Sequence, residues 1–517
     1  MSRIIGKIGT KIAQVLGVAS VEVIDRTDVR HRLAEELGRG GQGAVYRTTN
    51  REIAVKLLID AKGDPVTDAN GPAADELVRS IERVLALPLP QAGIAVPLAP
   101  LKGTVGYTMR LLDGMQPLAR LMSTKGDPAA HYAATGGLRR RLELLARLAD
   151  RLAVLHGSGL VFSDLSPNNV FVSSDAAFSE VWLIDADNLH YLEQRELRVY
   201  TPRYGAPEVV SGQSPVNTLT DCWSFAVIAH ELLRMVHPFE GGAAEQSGWD
   251  VTASGIAPKP ESPLAWIDDP SDASNRSSHG RTLDATATLR MKALFERAFC
   301  AGRLDPLARP AVAEWADALW EAFDLVVVCS ECKGSTFVRA QGRTDCRCGR
   351  RMPVLRIESR LWLPDLDEDL HDLAQGRRGL IEMEESLQEI DPDRAKSDWK
   401  SVVLPQRPPI ATMRTAVGAE AVIPMSMVGS VGVEGRRTPA ITLRVLGTQL
   451  VLEPHCDSAG GWKWIDPRTG REAYCTSRIE VKLPSSNAAV LHLHCGTVGE
   501  PHRVLSIVHL VGGGDAG

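Results

Sequence analysis

The sequence lacks several features that would place it in a specialised class of protein. No apolar run approaches the roughly 20 residues that a helix needs to cross a bilayer. Aromatic residues make up 5% of the chain, which leaves little for stacking on nucleic-acid bases, and a net charge of -6 gives no general attraction to nucleic acids. Nine cysteines do not complete a set of disulfides. We expect a cytoplasmic protein without a transmembrane segment and without a nucleic-acid partner.

The length and patterning of the chain predict several domains of the α+β class. At 517 residues the chain is too long for one core, and two to four domains are expected. Strand-like alternation covers about 30–60, and strands interrupted by Asn and Asp occupy about 160–187. Apolar residues at helical spacing predict helices over Asp75–Leu87, Gly137–Leu155, Cys222–Met235, Met291–Phe299 and Ala311–Phe323.

The N-terminal extension, residues 1–29, has two interpretations. Its first 16 residues place isoleucines and other apolar residues at near-helical spacing, with Arg3, Lys7 and Lys11 between them. Such a helix suits a membrane surface or a targeting segment. A short helix that packs on the next domain explains the pattern equally well.

A glycine-rich turn between strand-like segments indicates a phosphate-binding loop. Glycines let a backbone approach phosphates without a side chain in the way. The strand after the turn ends in Lys56, thirteen residues beyond the last of these glycines, where a lysine reaches the α- and β-phosphates. The candidate nucleotide-binding residues are Gly38, Gly40, Gly43, Val45, Ala54 and Lys56.

Two further segments supply an acid–amide–acid series in the order that phosphoryl transfer needs. Asp164 is followed five residues later by Asn169, just before an apolar strand, and Asp185 closes another apolar strand sixteen residues on. In this arrangement Asp164 orients an acceptor hydroxyl and takes its proton, while Asn169 and Asp185 hold Mg²⁺. Lys56, Asp164, Asn169 and Asp185 are therefore the predicted catalytic residues.

With these motifs in place, the chain resembles a Hanks-type protein kinase. The resemblance adds Ala206-Pro207-Glu208, which closes the activation segment in that family, and it implies that Glu208 pairs with Arg309. It also implies that Asp221 braces the catalytic loop and that Thr201 contacts the catalytic Asp164. The implied cofactors are ATP and Mg²⁺ (or Mn²⁺).

The segment 294–299, the turn at 309–310 and the cysteine pairs that follow are similar to a bacterial kinase subfamily. Members of that subfamily occur with a PP2C-type phosphatase and a tellurite-resistance-related von Willebrand factor A protein, which are the implied partners. Many also carry a helix-hairpin-helix DNA-binding segment. No such segment is evident in this sequence, so DNA binding is not implied.

The resemblance implies a bilobal protein-kinase fold. The cysteine pairs predict a small zinc-ribbon-like module after it. Alternation of apolar and polar residues in the tail, at 441–445 and 479–483, predicts a C-terminal β-rich domain. The expected boundaries are 1–29 for the extension, 30–323 for the kinase domain (lobes 30–112 and 113–323), 324–352 for the zinc-ribbon-like segment, 353–412 for an acidic helical linker and 413–517 for the β-rich domain.

Three positions depart from the family pattern. Phe162-Ser163 replaces the usual His-Arg, so regulation through a phosphorylated activation loop is not expected. Ser166 replaces a lysine that stabilises the transferring phosphate, which predicts a lower rate unless another cation substitutes. Asp187 replaces the glycine of Asp-Phe-Gly, and this carboxylate either helps to bind Mg²⁺ or is simply solvated.

The glutamate that pairs with Lys56 is left open by the sequence. Glu76 has the usual distance from the lysine and is the favoured candidate, while Glu82 lies in the same predicted helix. Either could equally be a charge on the helix surface.

A cluster of four cysteines predicts a structural Zn²⁺ site. Cys329 and Cys332 form C-x2-C, and Cys346 and Cys348 follow as C-x-C. Four thiolates from two tight turns suit tetrahedral zinc and leave no open position for catalysis. The alternative is four free or redox-active thiols.

The tail contains candidate ligands for a second metal site. The candidate ligands are His455, Cys456, Cys475, His492, His494 and Cys495. His492 and His494 would share one face of a strand, and that face would ordinarily be exposed to solvent.

These features favour a protein Ser/Thr kinase that also phosphorylates itself. The main alternative is a pseudokinase scaffold that binds nucleotide and partner proteins, which the substitutions at 162, 163 and 166 support. A small-molecule phosphotransferase of the aminoglycoside-kinase type shares the catalytic-loop spacing but is not expected to carry the motifs at 206–208, 221–224 and 309.

Overall fold

A computed structural model gives the fold in two compact units. One unit contains residues 1–136 and 143–316, and the other contains 137–142 and 317–517. The structure describes residues 22–510 except 40–42, 61, 67–70, 90–92, 123–125, 193–198, 247–263, 339–345, 347, 351, 364–407, 430, 433–434, 456–461, 466–471, 476–477, 484–487 and 497–500.

The described residues combine helices and sheets, in agreement with the predicted α+β class. The strands are β1 Glu22–Asp25, β2 Arg30–Arg39, β3 Gly43–Thr48, β4 Ile53–Leu58, β5 Pro97–Lys102, β6 Gly106–Arg110, β7 Met115–Pro117, β8 Leu160–Val161, β9 Val170–Ser173, β10 Val181–Leu183, β11 His190–Tyr191, β12 Val326–Val328, β13 Ser335–Phe337, β14 Val354–Trp362, β15 Ala411–Ala416, β16 Ala421–Pro424, β17 Pro439–Leu446, β18 Gln449–Pro454, β19 Trp462–Ile465, β20 Glu472–Cys475, β21 Ile479–Lys482, β22 Ala488–His494 and β23 His502–Leu510.

The helices are α1 Pro72–Leu85, α2 Pro128–Ala134, α3 Gly137–Gly157, α4 Pro207–Val210, α5 Thr218–Arg234, α6 Gly242–Gln246, α7 Leu283–Thr286, α8 Leu289–Glu296, α9 Gly302–Leu304, α10 Val312–Leu325 and α11 Met425–Val428. Among the described residues, none of the helices is both long and apolar enough to cross a membrane.

The smaller lobe of the first unit is a closed antiparallel barrel with strand order β1-β2-β3-β4-β6-β5. Alternate residues of β3 and β4, among them Ala44, Tyr46, Val55 and Leu57, form its core. Strand β1 closes the barrel because it pairs with both β2 and β5. The lobe therefore already includes Glu22, whereas the sequence analysis had placed its start at residue 30.

Helix α1 packs its apolar face on this lobe. Pro72 occupies the first turn, where a missing amide hydrogen costs nothing. Leu77 and Ile81, one turn apart, contact Val105 and Tyr107 in one buried cluster. The helix thereby has a fixed face toward the strands that hold the candidate site.

The larger lobe of the first unit is built around helix α5. Asn217 caps its N-terminus through a capping box with Thr220, and the helix is buried along most of its length. Aromatic rings pack against it: Trp223 stacks on Phe239 with a centroid separation of 5.8 Å, and Phe225 contacts Trp315. Short sheets β7-β9-β10 and β8-β11 flank the segment that carries Asp164 and Asn169.

The second unit contains two sheets that share one core. Their strand orders are β15-β14-β23-β22-β19-β20 and β16-β17-β18-β21. Apolar residues from both sheets, such as Leu355, Leu443 and Leu505, lie in a single buried cluster. Strand β21 alternates buried and exposed residues, as in half-buried antiparallel sheets, whereas β17 and β23 each bury four consecutive residues.

The predicted linker over 353–412 is partly wrong. Residues 354–362 form β14, which pairs with β15 and β23, so the sheet takes strands from both sides of the acidic segment. Val354, Leu355 and Ile357 are fully buried in this sheet. The sequence analysis did not predict the strand because charged residues lie among these apolar ones. The rest of the predicted linker, 364–407, lies outside the described residues, as does the segment 1–21.

Candidate active site

A cavity of about 1050 Å³ in the first unit collects most of the predicted site residues. From the barrel it is lined by Gly38, Gly43, Val45, Ala54 and Lys56, and from the larger lobe by Asp164, Asn169 and Asp185. Gly40 lies outside the described residues. A cavity of this size lies at the upper end of the range for small-molecule and cofactor sites.

The glycine at 43 is required by the packing of its own hairpin. A Cβ atom at this position would lie 2.8 Å from the carbonyl oxygen of Leu57, closer than van der Waals contact allows. Strand β3 therefore runs against β4 with Lys56 beside it, because Val45 and Lys56 are paired residues of the two strands. The glycine fixes the approach of the loop to the lysine.

The carboxylate of Asp221 holds the segment that precedes Asp164. This carboxylate accepts hydrogen bonds from the backbone N–H groups of Phe162 (2.8 Å) and Ser163 (3.0 Å), and His156 lies 3.1 Å away. Asp221 is buried, and Ser163 adopts a φ of 81°. A left-handed conformation in a residue other than glycine is held in place by such bonds.

Asp164 is oriented by two neighbours. The Thr201 hydroxyl donates to Oδ1 at 2.7 Å, and the Asn169 amide donates to Oδ2 at 3.2 Å and to the Asp164 carbonyl at 2.8 Å. Burial raises the pKa of Asp164 although both hydrogen bonds oppose that rise. Asp164 is thereby a fixed carboxylate with a basicity above that of an ordinary aspartate, as a proton acceptor requires.

Asn169 and Asp185 offer oxygen ligands for a cation. The Asn169 amide nitrogen is used by Asp164, which turns the amide oxygen away from that bond. Asp185 sits at a positive φ of 57° at the end of β10 and lines the cavity. Carboxylate and amide oxygens are the ligands that Mg²⁺ prefers, so the donor set fits this ion.

Lys56 is a buried cation between two carboxylates. Its amine donates to Asp185 Oδ1 at 3.0 Å and to Asp187 Oδ2 at 3.4 Å, and it lies 5.6 Å from the centre of the Tyr107 ring. Burial lowers the pKa of Lys56, but the Tyr107 hydroxyl and the two carboxylates together raise it above its ordinary value. The amine therefore stays charged, as phosphate binding needs.

The predicted pairing of Lys56 with Glu76 is not formed in the structure. Glu76 is exposed on α1, and Glu82 forms an exposed ion pair with Arg26 at 3.4 Å. Both glutamates lie on the polar face of α1, because its apolar face is the one turned toward the barrel. The sequence analysis named Asp187 only as a possible ligand of Mg²⁺ or a solvated carboxylate, and its contact with Lys56 was not predicted.

The larger lobe contains the ion pair that the resemblance implied. Arg309 donates two hydrogen bonds of 2.7 Å to the carboxylate of Glu208, and its Nε donates to the carbonyl of Gly302. Arg309 is buried, so the pair is shielded from solvent. It ties the end of the activation segment to the loop before α10.

Ser163 and Ser166, which depart from the family pattern, are both buried in the larger lobe. The Ser163 hydroxyl donates to the carbonyl of Asn188 at 3.2 Å and lies 3.1 Å from His190. Ser166 is buried, and its hydroxyl has no hydrogen-bond partner within the described part of the chain. Neither residue replaces the charge of the arginine or lysine that the family pattern has there.

The four cysteines of the second unit converge. All four sulfur atoms lie within 4.8 Å of one another, with 3.2 Å between Cys332 and Cys346 and 3.8 Å between Cys329 and Cys348. Cys329 and Cys346 are buried, and the other two are exposed. Among the described residues, this cluster is the one group of three or more His, Cys, Asp or Glu side chains whose ligand atoms lie this close together.

The second metal site considered for the tail is not assembled in the described residues. Cys456 and the side chain of Cys475 lie outside them. His492 and His494 are both buried and not on a solvent face. His494 Nδ1 lies 2.7 Å from His502 Nε2, and the ring of Trp362 packs against His494, so this face of β22 is covered by aromatic rings.

Part of the chain is similar to a known protein family. Residues 134–278 match the model of the protein kinase domain. This segment of the chain is therefore similar to a protein kinase domain. The matched segment contains Asp164, Asn169 and Asp185, and the lysine-bearing barrel precedes it.

Several bacterial Ser/Thr protein kinases are similar to the chain. Serine/threonine-protein kinase pkn2 of Myxococcus xanthus is 27% identical over 226 residues, which is 41% of this chain and 25% of the relative. PkaA of Streptomyces coelicolor is 28% identical over 236 residues, 42% of this chain and 40% of the relative. PknE of Mycobacterium tuberculosis is 25% identical over 218 residues, 41% of this chain and 36% of the relative. The chain thus spans between about a quarter and two fifths of these relatives.

Proposed function

We propose that the chain is an ATP- and Mg²⁺- (or Mn²⁺-) dependent protein kinase that transfers the γ-phosphate to Ser/Thr hydroxyls, including its own. The observation that carries the proposal is the convergence of Lys56, Asp164, Asn169 and Asp185 on one cavity. The bacterial Ser/Thr kinases among its relatives support the same substrate class.

Each of these residues has a role that follows from its contacts. Asp164, fixed by Thr201 and Asn169, accepts the proton of the acceptor hydroxyl and aligns its oxygen with the γ-phosphorus. Lys56 binds the α- and β-phosphates through its buried ammonium. Asn169 and Asp185 would hold Mg²⁺, which neutralises the charge on the phosphates. The two glycines 38 and 43 keep side chains away from the phosphates.

The test is phosphate incorporation by the full chain with radiolabelled ATP and Mg²⁺, on itself and on a basic generic substrate. Removal of a positioned base costs about 10²–10⁴ in rate, so Asp164→Asn should lose at least about a hundredfold. Asp175→Asn, an exposed aspartate in the β9–β10 turn, is the matched control and should keep wild-type activity. A wild-type chain that binds ATP but labels nothing would support the pseudokinase scaffold instead.

We also propose that the four cysteines hold a structural Zn²⁺ ion in a zinc-ribbon-like segment. Tetrahedral zinc with bonds of about 2.3 Å places its sulfur ligands about 3.8 Å apart. The separation of Cys329 and Cys348 has this value, and Cys332 and Cys346 are closer, at 3.2 Å. The two-stranded sheet β12-β13 carries the first cysteine pair on its turn. Zinc would replace a larger hydrophobic core in this small segment.

Zinc content of the purified chain tests this second proposal. One zinc per chain is expected, and Cys332→Ser should lose it together with part of the thermal stability of the second unit. Cys300→Ser, a half-buried cysteine of the first unit, should keep both. A metal-free wild type with four titratable thiols and unchanged melting would contradict it.

A PP2C-type phosphatase and a von Willebrand factor A protein are the partners we propose, in the cytoplasm. The support is the resemblance of residues 294–299, the turn at 309–310 and the cysteine pairs to the bacterial subfamily. Genes for these two proteins beside the gene of this chain are the expected finding. A phosphatase that fails to remove phosphate from the labelled chain would argue against that partner.

A further inference from the structure

The strongest unexplained feature of the site is the second carboxylate on Lys56. Asp187 Oδ2 lies 3.4 Å from the lysine amine, beyond Asp185 Oδ1 at 3.0 Å. Neither predicted glutamate of α1 is available for this position, since Glu76 is exposed and Glu82 pairs with Arg26. Lys56 is itself 5% exposed, and a buried ammonium needs nearby negative charge.

The two carboxylates face different surroundings. The Asp185 side chain is 36% exposed and lines the nucleotide-sized cavity, whereas the Asp187 side chain is 15% exposed and does not belong to the cavity wall. A cation bound in the cavity is reached by Asp185. When Asp185 turns its oxygens toward such a cation, Asp187 is the carboxylate that remains on Lys56.

Helix α1 holds Asp187 in place through its backbone. The Ser80 hydroxyl donates to the Asp187 carbonyl, and Asp187 lies in the one-turn 3₁₀ helix Ala186–Asn188 that follows Asp185. Ser80 precedes Ile81, whose side chain is fully buried against the barrel, so the position of the hydroxyl is set by the packing of α1. The short turn therefore has support from the helix as well as from the lysine.

We infer that Asp187 is a positioning residue for Lys56, doing from the activation-segment side what a glutamate of α1 was predicted to do, and that Ser80 couples this residue to α1. The inference rests on the proposed function, since the lysine is positioned for the phosphates of ATP. It assigns the connection between α1 and the site to a hydroxyl–carbonyl hydrogen bond, not to an ion pair from the helix.

The geometry favours positioning over a role for Asp187 as a metal ligand. A ligand for a nucleotide-bound cation has to reach the cavity, and Asp187 does not line it. Its oxygen is instead within reach of the lysine amine, and its backbone is occupied by Ser80. The two roles differ in one measurable way, because only a metal ligand can be compensated by a higher concentration of the cation.

The experiment measures the Kd of a non-hydrolysable ATP analogue together with kcat and KM for ATP, over a series of Mg²⁺ concentrations, in the full chain. Asp187→Asn should weaken analogue binding and raise KM by about tenfold, as expected for a lost charged hydrogen bond to a buried group. Asp187→Glu should restore part of the loss. Ser80→Ala should give a smaller shift in the same direction, and Glu76→Gln is the matched control with wild-type values.

Recovery of Asp187→Asn at high Mg²⁺ or Mn²⁺ would overturn the inference and assign Asp187 to the metal. Wild-type Kd, KM and kcat in Asp187→Asn would overturn it as well. Unfolding of each variant without nucleotide is measured alongside, and an Asp187→Asn chain that melts like wild type while binding the analogue weakly supports positioning.

Analogue binding also separates this inference from the proposed function. A wild type that binds the analogue but transfers no phosphate would end the kinase proposal, while weaker binding by Asp187→Asn would still support the role of Asp187. A wild type that phosphorylates normally, with an Asp187→Asn variant indistinguishable from it, would end the inference and leave the kinase proposal intact.

Discussion

The two sides of the cavity are organised in different ways. On the Asp164 side, this carboxylate contacts Asn169 five positions away, and the loop that carries both residues is bound to Asp221. On the Lys56 side, the lysine meets carboxylates 129 and 131 positions away. The first side is built from a short motif and one buried brace, while the second depends on how two distant segments meet. Motif spacing therefore describes the first side well and the second poorly.

The largest loss of stability and activity is expected from a substitution on the Asp164 side of the cavity. Asp221→Ala would leave two buried backbone N–H groups without acceptors, and each unsatisfied group costs about 1–3 kcal/mol. We expect a loss of several kcal/mol in the free energy of unfolding and no measurable phosphate transfer. Urea unfolding and the labelling assay measure the two quantities, with Asp221→Asn as the milder variant that keeps one acceptor. Wild-type stability in Asp221→Ala would show that the loop is held by other contacts.

The next effect concerns the ion pair that closes the activation segment. Glu208→Ala leaves the buried Arg309 guanidinium without its carboxylate, and breaking a buried pair costs about 3–5 kcal/mol. We expect the melting temperature to fall and protein-substrate phosphorylation to drop more than analogue binding, because the cavity itself is not lined by this pair. Equal losses in both readouts would mean that the pair supports the whole lobe and not the substrate side.

A smaller loss of activity is expected when the hydrogen bond from Thr201 to Asp164 is removed. Thr201→Val removes the hydroxyl that donates to Oδ1 and that holds the pKa of Asp164 down against the effect of burial. The pKa should then rise further, and kcat should fall by about tenfold for one lost charged hydrogen bond. The control is Thr201→Ser, which keeps the donor and should keep the rate.

The pH profile follows from the same raised pKa. A base must be ionised to accept a proton, so activity falls as pH drops through the pKa of Asp164. Because burial raises that pKa, the acid limb of kcat/KM should lie above the range of an ordinary aspartate, and Thr201→Val should move it higher still. An acid limb that moves to lower pH in this variant would contradict the assigned role of Thr201.

The smallest effect concerns the surface of α1. Glu82→Gln breaks an ion pair in which both side chains are about half exposed, and such pairs contribute little. Neither analogue binding nor phosphate transfer should change. A large change in binding would mean that Glu82 reaches Lys56 in the nucleotide-bound chain. The Lys56 side would then depend on α1 through an ion pair after all.

Much of the fold could be read from the sequence because its signals are local. Apolar spacing gave the helices α1, α3, α5, α8 and α10 to within a few residues of their ends. The brace by Asp221 and the Glu208–Arg309 pair came from the resemblance and not from spacing. Strand β14 was missed because its buried residues are mixed with charged ones beside an acidic segment. Strand β1 was missed because it is only four residues long and one of its two partners, β5, lies far along the chain.

The partner of Lys56 could not be predicted for a physical reason. A glutamate at the usual distance along a helix was the natural choice, but the side of the helix that faces the site is set by apolar packing. In α1 that packing turns Ser80 toward the site and leaves Glu76 in solvent. Distance along the sequence does not contain this information, whereas the helical position of Leu77 and Ile81 does.

The most direct test of the central claim is a crystal structure of the chain with a non-hydrolysable ATP analogue and Mg²⁺. We expect the phosphates on Lys56, the cation on Asn169 and Asp185, and the Asp164 carboxylate facing the γ-phosphate from the Thr201 side. A nucleotide bound outside this cavity, or a cation held without Asn169 and Asp185, would contradict it.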